Sequence, residues 1–355
     1  MARHNVSFRR PRMSWLQTGS RAMRCGLLVV LAIGFWAVTS QVRAAELAEE
    51  LKNVPYQILF ESHRDGNWEL YQVNADGSQL ADLTRTPDIQ EMYPHVSPDG
   101  GRICLVVDEG EGDARRRNIY IMNRNGTDRE QIVGNGRDPC WTPDGSGIIY
   151  LPAEFDAYVL RDIASKGLGV YDLSSSRIEP HPNPDLLHLF IVCPTPDGKW
   201  YLATVHAGMG FQHAIVAIET HGQKVCNLRI PGCRPDLSSD GKRVAWGADD
   251  YTIRVGDLDF SGPEPKVINQ RDVVTSEKPI AVYHADWSPD GRYLAFSRGP
   301  RVKRLGPAPE MVGAMAEGWD ICVADAQATN RVLSLTHDGK SNKEPDWAPR
   351  AKAHP

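Results

Sequence analysis

Apolar and polar positions alternate in short runs along most of the chain, with no long stretch at the spacing of an amphipathic α-helix. The runs Ile103-Cys-Leu-Val-Val107, Ile148-Ile-Tyr-Leu151, Trp200-Tyr-Leu-Ala203, Val244-Ala-Trp246 and Tyr293-Leu-Ala-Phe296 are rich in β-branched and aromatic residues, which predicts strands. One short phrase stands ahead of each: Ser97-Pro-Asp-Gly100, Thr142-Pro-Asp-Gly145, Thr195-Pro-Asp-Gly198, Ser238-Ser-Asp-Gly241 and Ser288-Pro-Asp-Gly291. Proline fixes φ at the second turn position, the Ser or Thr hydroxyl bonds back to the backbone, and glycine supplies positive φ, so the phrase is a hairpin turn. Its glycines recur 45, 53, 43 and 50 residues apart, the period of a repeat architecture.

A second alternating strand follows in each period, over residues 68–73, 118–122, 169–173, 214–218, 253–258 and 319–323. Six copies of this strand against five turn phrases indicate how the repeat closes. The chain enters its first unit at Tyr56-Gln-Ile-Leu-Phe60 with no turn phrase before it, and ends on Pro345-Asp-Trp-Ala-Pro349, a strand of the kind that precedes the phrase elsewhere. The expected fold class is all-β: a six-bladed β-propeller over residues 54–349, closed by a C-terminal strand that joins the first blade. Such closure removes the exposed strand edges that invite aggregation. Residues 45–53 form a short N-terminal segment and residues 350–355 a tail.

Residues 1–44 read differently. Arg3, Arg9, Arg10, Arg12, Arg21 and Arg24 precede the apolar run Leu27-Leu-Val-Val-Leu-Ala-Ile-Gly-Phe-Trp-Ala-Val38, and Val42-Arg43-Ala44 suits a signal peptidase. This is the pattern of a secretory signal peptide cut after Ala44, and its apolar run is shorter than the ~20 residues a bilayer span needs. The mature protein is therefore expected in the periplasm or outside the cell, without stable membrane insertion. Cutting removes seven arginines and no acid, leaving 33 Lys and Arg against 45 Asp and Glu, a net charge of −12. A chain so acidic, with no extended basic face, does not suit nucleic acid. Cys104, Cys140, Cys193, Cys226, Cys233 and Cys322 follow the leader without a C-x-x-C spacing. Cys226 and Cys233, close in sequence across an expected turn, are the disulfide candidate; buried free thiols describe the others equally well.

The segments His284-Ala-Asp-Trp-Ser-Pro-Asp-Gly-Arg-Tyr-Leu-Ala-Phe296 and Arg64-Asp-Gly-Asn-Trp-Glu-Leu-Tyr-Gln-Val-Asn-Ala-Asp-Gly77 resemble the repeats of the TolB-like β-propeller family, and the resemblance spans residues 54–349. It implies a propeller with the Asp-Gly turns on one face and the longer connections on the other. That family carries an α/β domain ahead of its propeller, for which residues 45–53 leave no room, so the resemblance implies the repeat and not the role.

Candidate chemistry lies on the longer connections, expected over residues 108–117, 153–166, 206–213, 247–251 and 298–318. His206 and His213 flank a glycine-rich stretch suited to a metal or an anion. Arg298, Arg301, Lys303 and Arg304 concentrate positive charge that could clamp a carboxylate. Four positions before each turn aspartate stand His95, Cys140, Cys193, Asp236 and Asp286, with Asp346 matching in the closing strand. Period-two alternation sends these to one side and Trp141, Trp287 and Trp347 to the other. If the tryptophans pack between blades, His95, Asp236, Asp286 and Asp346 ring the axial channel, as donors for a divalent cation or as polar lining of a wet channel. No nucleophile elbow, paired-carboxylate spacing or phosphate loop is present. The leading expectation is an exported, monomeric, non-catalytic binding or scaffold module that presents its loop-rich face to a protein, peptide or glycan. The alternative is a metal-dependent lyase or hydrolase acting on an acidic saccharide, with His206, His213 and His284 as ligands and Arg298 as clamp.

Overall fold

The structure, a computed structural model, describes residues 41–301 and 308–350. The expected signal peptide lies outside these residues apart from its last positions, and so do Lys303 and Arg304. Each turn phrase folds as its residues predict. In the first, Ser97 Oγ donates to Asp99 Oδ1 at 2.6 Å, and the amides of Gly101 and Arg102 donate to the Asp99 and Ser97 side chains at 2.9 Å. Gly100 sits at φ +75°, and Gly145, Gly198, Gly241 and Gly291 take the same left-handed conformation. Bonds from turn hydroxyls and amides hold Asp99, Asp144, Asp197 and Asp240 below the usual carboxylate range.

Six four-stranded antiparallel sheets result. From axis to rim, blade 1 is Ser341–Pro349, Tyr56–His63, Trp68–Asn74 and Ala81–Asp82; blade 2 is Gln90–Val96, Arg102–Glu109, Arg116–Asn123 and Glu130–Val133. Blade 3 is Gly136–Trp141, Gly147–Pro152, Gly169–Asp172 and Arg177–Pro180; blade 4 is Leu189–Pro194, Trp200–Gly208, Phe211–Glu219 and Val225–Asn227. Blade 5 is Cys233–Leu237, Arg243–Asp249, Thr252–Asp259 and Lys266–Thr275; blade 6 is Ile280–Trp287, Tyr293–Pro300, Asp320–Asp325 and Val332–Ser334. Each innermost strand touches the next around the axis, and the C-terminal strand pairs with Tyr56–His63, so the ring closes where the strand count predicted.

The tryptophans do pack between blades. Trp141 lies against Cys104 and Ile119 of blade 2 and donates its indole N–H to the His95 carbonyl at 2.9 Å; Trp347 reaches the Asp286 carbonyl of blade 6 at 3.2 Å. One element is new. Residues 44–51 are helical, and Leu47 and Leu51, both fully buried, pack with Val54 onto Tyr71 and Val73 of blade 1 and Tyr293 and Leu335 of blade 6. Glu50 pairs with Arg331 at 2.6 Å on the same seam. The N-terminal segment thus clamps the junction at which the ring closes. Among the described residues no helix is long and apolar enough to cross a membrane.

Two expectations need correction. Residues 206–213 are no loose loop: Trp200–Gly208 and Phe211–Glu219 run on as a hairpin with His206 opposite His213 in its ladder. Cys226 and Cys233 are free thiols. They are close in sequence because the chain there crosses from the rim of blade 4 to the axis of blade 5, which carries the two residues apart and not across a turn.

Candidate binding site at the mouth of the axial channel

Every innermost strand carries a register shift, and at each shift stands a non-glycine residue with positive φ: Tyr93 (52°), Asp138 (48°), Ile191 (51°), Arg234 (58°), His284 (57°) and Glu344 (49°). A left-handed non-glycine residue costs on the order of 1–3 kcal/mol, and a bulge re-aims the side chains around it. Two residues further on lie His95, Cys140, Cys193, Asp236, Asp286 and Asp346, and all six face the axis, lining a cavity of about 230 Å³.

Several of these ring residues brace one blade against the next. Asp236 accepts the Trp287 amide at 2.8 Å, Asp286 accepts the Trp347 amide at 2.8 Å, and Asp346 accepts the Val96 amide and His95 Nδ1, each at 2.9 Å. Burial pushes the Asp236 carboxyl up to about 7; burial, then the charges of Asp236 and Asp346, raise Asp286, and a hydrogen bond with Asp236 adds to this. Burial opposes the charge on His95, but Asp346 outweighs it and lifts the imidazole above its ordinary value. Among the described residues no three His, Cys, Asp or Glu side chains group closely enough to hold a metal ion.

Above this ring, two segments cross the mouth on the face opposite the Asp-Gly turns. Residues 158–163 are pinned by Arg137, which donates to the Val159 carbonyl at 2.8 Å and to the Arg161 carbonyl, and by the Asp162–Arg234 pair at 2.7 Å. Tyr158 donates to Asp108 at 2.7 Å, and Asp108 is held at 2.8 Å by the buried Arg117. Residues 308–314 form the second segment. Between the two lies a cleft of about 950 Å³ walled by Tyr158, Phe190, Tyr283, His206, His213 and Met311. Deep in it Asp162 Oδ1 is buried without a hydrogen-bond partner. Arg234, beside it, turns Nη1 toward Glu344 Oε1 on the axial cavity at 3.7 Å, and that oxygen lies 2.9 Å from His284 Nε2. Burial raises Glu344 to about 7 and holds His284 well below its ordinary value. Phe155 and Met315, 51% and 60% exposed, stand near the crossing segments on the same face.

The residues expected from sequence divide accordingly. His206 and His213 share the cleft, their Nδ1 atoms 3.1 Å apart, and burial lowers the basicity of His213. His284 is not with them: it lines the axial cavity, 3.0 Å from Ser297 Oγ and 2.9 Å from the Glu310 carbonyl. The ligand set required by the saccharide-cleaving alternative is therefore not assembled. Arg301 is bound to Asp250 at 2.9 Å beside the cleft, whereas Arg298 is exposed opposite Asp320 in the ladder. Sequence reading missed Arg234, Glu344, Tyr158, Arg117 and Lys343. For the bulge residues there was a signal, since Tyr93, Asp138, Arg234 and Glu344 each stand two places before the ring position with a proline between.

These features define a six-bladed β-propeller whose longest connections gather over one mouth of its channel. In repeat and fold it is TolB-like. The chain is 35% identical over 107 residues to the Tol-Pal system protein TolB of Alcanivorax borkumensis, a match covering 27% of this chain and 24% of that protein, about a quarter of the relative's length. An uncharacterized protein of Agrobacterium fabrum is 26% identical over 104 residues, covering 26% of this chain and 35% of its own. Among solved structures, TolB from Acinetobacter baumannii superposes with a TM-score of 0.58 at 19% identity, over 82% of this chain and 66% of that one. A chain of a nidogen/laminin complex gives 0.56 at 9% identity, over 83% and 99%. At these identities the likeness is one of fold. No family model matches the chain.

Proposed function

We propose that this protein is an exported, non-catalytic binding propeller of the periplasm that holds an extended segment of a partner protein in the cleft between residues 158–163 and 308–314. The observation that carries the reading is the cleft itself: aromatic walls from Tyr158, Phe190 and Tyr283 over the buried Arg234 and an Asp162 carboxylate whose Oδ1 lacks a partner. Aromatic anchors in a desolvated pocket supply most of the energy of a protein interface, and unmatched buried donors and acceptors favour a ligand that brings its own. The basic, apolar leader and the likeness to a protein of the Tol-Pal system support the compartment and a protein partner. The test is capture of solubilised envelope proteins by the immobilised mature chain and by a Phe190→Ala, Tyr283→Ala variant of unchanged thermal stability. One protein retained by the wild type and lost by the variant is expected; equal retention by both contradicts the assignment of the cleft.

A further inference from the structure

Residues 310–313 do not belong to any sheet, yet four buried side chains from four blades converge on their backbone. The Glu310 carbonyl accepts from Arg234 of blade 5 and from His284 Nε2 of blade 6, the latter at 2.9 Å. The Met311 carbonyl accepts from Lys343 Nζ of blade 1 at 2.7 Å, and the Val312 carbonyl from Arg117 Nη2 of blade 2 at 3.4 Å. In return the Gly313 amide donates to Glu61 at 3.3 Å, and Glu61 is itself paired with Lys343 at 3.3 Å. Val312, 1% exposed, fills an apolar slot with Trp68, Met92, Tyr93 and Val106. Gly313 is at φ +73°, and a Cβ there would stand 2.5 Å from Met92 Sδ, so the backbone lies as close to the floor as glycine allows.

Three consecutive carbonyls matched to three separate sets of charged or imidazole donors, and one aliphatic side chain in a slot, are the pattern of a bound peptide. Arg234, Lys343 and Arg117 are almost fully buried and each is paired with one carboxylate, of Asp162, Glu61 and Asp108 respectively, so the three backbone carbonyls supply these desolvated cations with acceptors beyond those pairs. We propose that residues 308–314 are a built-in peptide ligand of the channel mouth, and that an external extended segment, offering consecutive carbonyls and an aliphatic side chain, binds by displacing them. This rests on the protein-binding reading above and adds to it a self-occupied state, from which the partner extends out of the cleft into the slot that residues 308–314 vacate. An internal occupant present in ~99% of molecules weakens the apparent affinity for an outside competitor about 100-fold.

The probe is a fluorescein-labelled synthetic peptide of residues 308–316, titrated by fluorescence anisotropy into the wild-type mature chain and into a variant with residues 309–314 replaced by alternating glycine and serine. The expected result is saturable binding to the replaced variant, about 100-fold tighter than to the wild type, and lost when the peptide carries Val312→Asp. Equal affinity for the two proteins, or no binding to the folded variant, overturns the proposal. A second measurement uses only the wild type: excess peptide should increase the rate at which a glutamate-specific protease cuts after Glu310, read by mass spectrometry, and an unchanged rate overturns it. The failures are separable. Peptide binding to the variant with no envelope partner found defeats the proposed function alone; an envelope partner held equally by wild type and variant defeats only the built-in ligand.

Discussion

Replacing Asp286 by asparagine should make the protein more stable at pH 8 and leave it unchanged at pH 4. Asp286 and Asp236 are half-buried neighbours lining the axial cavity, with Asp236 raised from 3.8 to about 7 and Asp286 raised by burial and by the Asp236 charge. Because these folded values lie above the unfolded ones, the native pair keeps a proton that the unfolded chain has released. Its stabilisation is complete below the unfolded value near pH 4 and is lost as pH rises through 7. One excess native proton costs about 1.4 kcal/mol per pH unit, so roughly 4 kcal/mol disappears between about pH 4 and pH 7. Asparagine can still accept the Trp347 amide through its carbonyl, and its NH2 can donate to Asp236 as the shared proton did. The variant should then melt about 8 °C higher at pH 8, at roughly 2 °C per kcal/mol for a domain of this size, and within about 1 °C of wild type at pH 4. Differential scanning calorimetry across that range reads the effect. A variant destabilised equally at both pH values would refute the shared-proton ring and leave Asp286 as a plain hydrogen-bond acceptor.

Three further outcomes follow from the fold. A chain ending at Lys340 lacks the whole closing strand, including buried Trp347 and Lys343, and should show no cooperative thermal transition; a melt matching the full chain would contradict closure through blade 1. Leu47→Ala should lower the melting temperature by about 6 °C, from roughly 3 kcal/mol of lost seam packing, and an unchanged melt would detach the N-terminal helix from the ring. Alkylation under denaturing, non-reducing conditions should label both Cys226 and Cys233; recovery of a peptide in which they are bridged would contradict the structure.

The blades were legible because each repeat restates its instructions. The Asp-Gly turn works by bonds among neighbours such as Ser97, Asp99 and Gly101, and the tryptophan side of each inner strand follows from strict alternation, so Trp141 and Trp347 could be assigned from spacing. The ring of His95, Asp236, Asp286 and Asp346 was found by the same count. What was not legible depends on contacts between blades or on segments outside the repeat. Arg234 and Glu344 take left-handed conformations marked in sequence only by the proline after each, and their partners Asp162 and His284 lie far off in sequence. His206 and His213 looked like loop residues because glycines lie between them, but the ladder between their strands runs to the tip. The Cys226–Cys233 pairing failed for a related reason: closeness along a chain that is crossing from rim to axis is not closeness in space.

The central claim is that the loop-rich mouth, and not the Asp-Gly turn face, meets the partner. A photo-crosslinking amino acid placed at His213, in the cleft, and separately at Asn125, exposed on a turn of the other face, tests this in living cells of the source organism. The account predicts a discrete protein adduct from position 213, lost when Phe190 is replaced by alanine, and none from position 125. Adducts from position 125 alone would contradict it.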